Sequence, residues 1–219
     1  MPLSVAIIPV TPFDQNCALL FDSETKVGAI IDPGGDVDRI LEAIKETGAK
    51  IEKIVITHGH LDHVGGATDL KAQLGGVEIV GPHKADQQLM DKTEDSARKY
   101  GLSGLKNCTS DRYLDEGQTL EMAGLKFEIL HCPGHSPGSL VYVQKDVGLA
   151  IVGDVLFRGS IGRTDFPLCD HDALIHSIKT KLFPLGDEMV FLCGHGPAGR
   201  IGEERVTNPF VGEGAVNDN

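Results

Sequence analysis

The chain has 219 residues, 41% hydrophobic and 24% charged, the balance of a globular protein large enough to bury a core without disulfide staples. Its net charge of −12 argues against a nucleic-acid partner, whose phosphates need clustered Lys and Arg. Five cysteines, Cys17, Cys108, Cys132, Cys169 and Cys193, form no CxxC pair, and their odd number points to reduced thiols and a cytoplasmic setting. In chain order, "MPLSVAIIPVTPF" lacks the basic start of a signal peptide, and "SVAIIPV", "NCALLFD" and "KVGAIID" read as strands. No apolar run reaches the length of a membrane span, so no membrane partner is expected. "DPGG" is a turn, and Asp36 is expected to cap a helix over "VDRILEAIKETG", with Val37, Ile40, Leu41 and Ile44 at helical spacing and Gly48 as its stop. "IEKIVIT" is a buried strand, a helix is expected just after His63 through "ATDLKAQL", and "VEIVG" is a further strand. Residues 83–117 are polar, with short helices expected and no long apolar run, and join two halves of one domain, 1–210. "QTLEMAGLKFEILHC" reads as a hairpin turning near Ala123 and Gly124; "GSLVYVQ" and "GLAIVGD" are strands joined by a turn near Asp146. A helix around "DHDALIHSIKTKLF" precedes the strand "EMVFLCG", and residues 211–219 are expected to be a flexible tail. Strands and helices mixed in this way predict an α/β chain with helices on the outer faces of its sheets.

Four of these strands end alike. "KIVIT" runs into His58, His60, Asp62 and His63; "LKFEIL" runs into "HCPGHSPG" with His135; "LAIVG" ends at Asp154; "MVFLCG" ends at His195. Ligands at the ends of strands along one sheet edge can converge in a crevice held by rigid elements. His58, His60 and His135 can give three nitrogens to one divalent ion, Asp62, His63 and His195 can hold a second, and Asp154 can bridge them. Three protein ligands per ion leave a position open for chemistry, and a water shared by two cations becomes a nucleophile near neutral pH. Asp62 and Asp154 are thus the candidate catalytic carboxylates. HxH alone is a weak signal; HxHxDH before Gly-Gly, with a later His, Asp and His each at a strand end, is specific.

These motifs carry a resemblance. "THGHLDHVGG", "PGHSPGS", "VGDVLF" and "CGHG" resemble, in order, the motifs of the metallo-β-lactamase superfamily. The resemblance implies an αββα sandwich of two mixed β-sheets packed face to face, with helices on both outer faces, and the same seven ligands with Asp154 bridging. "IGRTDFP" and "IGEERVTNPF" resemble short glyoxalase II proteins, the hydroxyacylglutathione hydrolases. The implied reaction splits the thioester S-lactoylglutathione into lactate and glutathione by attack of a metal-bridging hydroxide. The cofactors implied are two divalent ions, zinc ahead of iron or manganese, which the donor set suits equally. Longer members grip glutathione with a C-terminal helical domain; little chain follows His195 here, so that grip is expected to be absent or built elsewhere. "GRTDF" also resembles persulfide dioxygenases, which would use one iron held by His58, His135 and Asp154. Another small ester or thioester is the remaining alternative.

Other residues carry weaker signals. Arg163 is a candidate for holding a substrate carboxylate, with an ordinary surface Arg as the bland reading. Cys132 and Cys193 read as small buried residues, His131 as a strand end with support of the ligand loop as its alternative, His83, His171 and His176 as surface or capping residues, and Asp165 as a local partner. "GHGPAG" matches a dinucleotide fingerprint, but Pro197 and the ligand role of His195 oppose it. No GxSxG elbow or P-loop occurs.

Overall fold

The computed structural model describes residues 2–215. Two sheets form its centre. The first is built from β1 (Leu3–Val10), β2 (Gln15–Asp22), β3 (Val27–Ile31), β4 (Lys50–Val55) and β5 (Glu78–Val80), in that spatial order. β1 to β3 are antiparallel, and β3 to β5 are parallel because α1 (Val37–Thr47) and α3 (Ala67–Gln73) carry the chain back between them. The second sheet contains β6 (Thr119–Met122), β7 (Leu125–His131), β8 (Leu140–Gln144) and β9 (Leu149–Gly153) as an antiparallel run. After a small hairpin of β10 (Leu156–Phe157) and β11 (Ser160–Ile161), β12 (Val190–Cys193) joins β9 in parallel and β13 (Gly199–Arg200) closes the edge.

Period-two burial explains the layering. In β2, Cys17, Leu19 and Phe21 face outward into a cluster with Ile40 and Leu70 of the helices, while Ala18 and Leu20 face inward. The inner cluster joins Leu20, Ile31 and Val55 of the first sheet to Phe127, Ile129, Tyr142 and Ile151 of the second. β9 splits likewise: Ala150 and Val152 pack outward against α6 (His171–Ser177) and the π-helical turn Ile178–Leu182, and Ile151 points inward. Strands buried on both faces need apolar side chains on both parities, hence the unbroken runs "CALLF" and "LAIVG". Each fully buried Leu or Ile contributes about 1.5–3 kcal/mol of burial free energy. The result is an αββα sandwich.

Some local expectations fall differently. Asp36 precedes α1 but has φ +46° and makes no side-chain cap bond; its carboxylate instead accepts the Thr11 N–H at 2.7 Å. The helix expected after His63 is α3, Ala67–Gln73. A separate one-turn helix that was not expected, α2 (Leu61–Val64), precedes it, closed because the His60 carbonyl accepts the N–H groups of His63 and Val64. The short helices expected in the 83–117 stretch are present, among them α4 (Gln87–Met90) and α5 (Thr93–Lys99). A helix that patterning did not reveal, α7 (Ile201–Thr207), buries only Ile201 and a glutamate, Glu204, which accepts the Gly159 N–H and so gave no apolar stripe. Val211, the first residue of the expected tail, is 2% exposed within the outer core of the second sheet, and 216–219 lie outside the described residues. Among the described residues no helix is long and apolar enough to cross a membrane.

Candidate metal centre

The ligand-bearing strand ends come from two sheets rather than one edge. β4 of the first sheet delivers His58, His60, Asp62 and His63; β7, β9 and β12 of the second deliver His135, Asp154 and His195. The sheets face each other, so these ends meet at one mouth of the sandwich. Close approach there requires glycine. A Cβ on Gly34, in the "DPGG" turn, would sit 1.5 Å from the Asp62 carbonyl oxygen, and one on Gly194 would sit 2.0 Å from Asp154 Oδ1.

The histidine nitrogens can be accounted for one by one. Asp32 Oδ2 accepts from Thr57 Oγ1 at 2.6 Å, which uses the only hydroxyl hydrogen of Thr57. Thr57 Oγ1 must then accept from His58 Nδ1 at 3.1 Å. His63 Nδ1 donates to Asp32 Oδ2 at 2.9 Å, His135 Nδ1 to the Arg163 carbonyl at 2.9 Å, and His195 Nδ1 to the Phe13 carbonyl at 3.1 Å. Each of these four rings, when neutral, therefore turns an unprotonated Nε2 inward, the tautomer a metal needs.

Those inward nitrogens gather in two places. His58 Nε2, His60 Nδ1 and His135 Nε2 are separated by 3.1, 2.8 and 3.2 Å. One proton on His60 could satisfy one side of that triangle, never all three. Three nitrogens bound to one tetrahedral ion at about 2.0–2.1 Å would lie about 3.3 Å apart, so a cation fits. The second trio joins Asp62, His63 and His195, with Asp62 Oδ2 at 3.2 Å from His195 Nε2 and 3.9 Å from His63 Nε2. Asp154 lies between the two. Its Oδ2 is 3.6 Å from His135 Nε2 and 3.5 Å from His195 Nε2, and its Oδ1 is 3.4 Å from His63 Nε2. His63 Nε2 and Asp154 Oδ1 are fully buried without a hydrogen-bond partner, the condition expected of atoms shaped to coordinate an ion. Asp32, His58 and His63 also cluster, but their hydrogen bonds account for that grouping: Asp32 orients two rings.

Electrostatics separates the trios. Burial, then the neighbouring histidines, hold His58 well below the ordinary imidazole value, and burial with His135 takes His60 down to about 3. Both therefore keep free lone pairs. For His63, burial lowers the value, but Asp154, Asp32 and Asp62 together outweigh it and the net shift is upward. Burial raises Asp154, and His63, His135 and His195 more than reverse this, keeping it ionised. The first trio is neutral, whereas the second carries its own carboxylate.

Motif reading passed over two supporting residues. Asp32 is one. The other is Asp86, whose Oδ2 accepts from Gly59 N–H at 2.7 Å and Ser136 Oγ at 2.8 Å, and whose Oδ1 accepts from Gly138 N–H at 2.5 Å. It thereby ties the His58–His60 loop to the loop of His135. His131, read as a strand end, also braces that second loop: its Nε2 bonds the Pro137 carbonyl at 2.8 Å and its ring stacks on His83. Cys132 and Cys193 are buried, as expected of packing residues. The "GHGPAG" loop is pinned by Asn16, whose amide donates to the carbonyls of Cys193 and Gly196.

The centre opens into a cleft of about 690 Å³ whose lining includes His60, Asp62, His135, Asp154 and His195. Leu61, Leu89, Phe157 and Phe166 supply apolar wall. Arg163 lines it too, but its guanidinium is bound by both oxygens of Asp165, at 2.9 and 2.7 Å, and lies over the Phe166 ring. Asp165 is thus the local partner expected.

Known proteins resemble this chain over nearly its whole length. A family model described as the metallo-beta-lactamase superfamily matches residues 10–195. Hydroxyacylglutathione hydrolase GloC of Haemophilus influenzae is 45% identical over 210 residues, covering 95% of this chain and 98% of that protein. Among solved structures, BLEG-1 B3 metallo-beta-lactamase superposes with a TM-score of 0.87 at 31% identity, covering 95% of this chain and 99% of its own. TTHA1623, solved in a di-iron-bound form, gives 0.84 at 34% identity, covering 94% and 99%.

Proposed function

Because this chain belongs to the metallo-beta-lactamase superfamily, we propose that it is a dinuclear metal-dependent hydrolase of hydroxyacylglutathione thioesters, releasing a hydroxy acid and glutathione. One observation carries the reading: seven donors form two trios about the single carboxylate of Asp154, on the floor of an open cleft. The 45% likeness to a protein named hydroxyacylglutathione hydrolase supports the substrate class. His58, His60 and His135 would hold one ion and Asp62, His63 and His195 the other, with Asp154 between. Zinc, iron and manganese all suit nitrogen and oxygen donors without thiolate, and the di-iron form of TTHA1623 keeps iron in view.

When bound, two divalent cations supply an acidified water and a Lewis acid for the acyl carbonyl. The chain does the rest. Asp62 Oδ2 and Asp154 Oδ2, both facing His195 Nε2, accept the hydrogen bond that aims the attacking water. Asp32 and Thr57 hold the imidazoles of His58 and His63 in the tautomer that leaves Nε2 free. Leu61, Phe157 and Phe166 pack the acyl group and shield the carbonyl, which strengthens every polar contact made there. The carbon–sulfur bond breaks as the thiolate leaves toward the cleft mouth.

The test is steady-state hydrolysis of S-lactoylglutathione by protein whose metals have been counted. Thiol release with about two metals per chain supports the reading. No release despite two metals turns the search to other esters and thioesters. A single iron, with oxygen uptake on glutathione persulfide, replaces it with a mononuclear persulfide dioxygenase.

A further inference from the structure

One wall of the cleft carries charge that the chemistry at the ligands does not use. The wall is α5 together with Lys92, the residue before it, and its cleft-lining positions are Lys92, Ser96 and Lys99. At 100° per residue these fall within an arc of about 60°, beside the face that buries Thr93 and Ala97. The acids of the same helix, Glu94 and Asp95, are not on the cleft lining, and Asp95 is taken by Arg98. Elsewhere Lys71, Lys106, Lys145 and Lys181 are each matched by a carboxylate. Among the described residues the cleft lining has three cations: Arg163, bound by Asp165, and the two lysines, for which the structure gives no ion pair. Two lysines for which the structure gives no ion pair thus line the cleft of a chain of net charge −12.

Resting on the thioesterase reading, we propose that Lys92 and Lys99 determine its specificity by binding two carboxylates of the thiol carrier. Seven residues of helix separate them by about 10 Å along the axis. An extended tripeptide spans about the same distance, so one carboxylate at each end of a carrier of glutathione's size would meet one lysine. The thioester then lies across the cleft floor with its carbonyl at the ligands. A carrier with one negative charge, or none, would lose this grip and keep the chemistry.

The double variant Lys92→Gln/Lys99→Gln tests this in the metal-loaded protein; both side chains are exposed, so the fold tolerates the change. S-hexylglutathione, a thioether that cannot be hydrolysed, is titrated calorimetrically into both proteins. We expect binding about tenfold weaker in the variant, and a salt dependence in the wild type that the variant lacks. For S-lactoylglutathione, KM rises by about the same factor with kcat kept, while hydrolysis of S-lactoyl-N-acetylcysteamine, which has no carboxylate, is unchanged. Equal affinity in the two proteins, no binding to the wild type, or equal loss on both thioesters overturns the proposal. Lysine-dependent binding without thiol release from S-lactoylglutathione sinks the thioesterase reading and leaves the lysine site standing. Turnover that ignores the variant does the reverse.

Discussion

The two sheets furnish the metal centre in opposite ways. The first gives four donors from one short stretch of chain, His58 to His63, where sequence neighbours are splayed into two different trios. The second gives three donors that follow three separate strands, β7, β9 and β12, of one paired sheet. A dense loop does not hold itself rigid, and buried carboxylates steady it: Asp32 fixes two of its rings and Asp86 its backbone at Gly59. The dispersed strand ends share the Asp86 anchor through Ser136 and Gly138, and they also demand contact without intervening side chains, which Gly194 supplies at Asp154. The first sheet thus leans more on hydrogen bonds within and beneath one loop, and the second on packing at Asp154 together with the shared Asp86 tie.

That contrast can be broken experimentally. Asp154→Ala removes the one group that serves both trios, so thiol release should fall by about 10²–10³-fold or more, with metal content below two per chain. Retained activity would remove Asp154 from its central position. Asp86→Ala strands three donors, Gly59 N–H, Ser136 Oγ–H and Gly138 N–H, and should cost about 3 kcal/mol or more of stability in denaturant titrations while also weakening metal retention. A variant that loses stability but keeps full metal affinity would make Asp86 a fold residue only. Gly194→Ala should keep the fold and lower activity about 10–100-fold, because its methyl would displace Asp154. Unchanged kinetics would show the second sheet to be more yielding than its packing implies. Arg163→Ala should alter KM within about fivefold, its fork being committed to Asp165; a larger effect would mean that substrate displaces Asp165. Finally, a thiol reagent should modify Cys169 alone in the native protein. The other four thiols are buried, and burial pushes Cys108 and Cys193 up to about 11 and Cys132 to about 12.

The same contrast sets what could be read from sequence. The dense loop announces itself, because four donors crowded into six positions are rarely brought together except around a metal ion. The dispersed donors were legible only because each ends an apolar strand, a pattern that also marks Asp32 at the end of "GAIID", where it passed for part of a turn. Asp86 had no such signal. It lies in a polar stretch, and its partners Gly59, Ser136 and Gly138 are 27, 50 and 52 positions away. The α/β layering was legible from the runs of apolar residues, and the sandwich only from what the family resemblance of the motifs implies, but α7 was not legible, since a helix buried through a glutamate presents no stripe. That the strand ends belong to two sheets rather than one could not be seen without pairing partners, which spacing does not encode.

The Asp86 tie has a consequence for motion. The amide hydrogens of Gly59 and Gly138 are bonded to the two oxygens of one buried carboxylate, so neither loop can expose its amide without disturbing the anchor of the other. Loops that lie far apart in the chain thus become one unit of opening, and in native-state hydrogen exchange the two amides should report the same opening free energy. An excursion that let solvent reach His60 from below would unseat His135 with it, so the centre should open as a whole or stay shut.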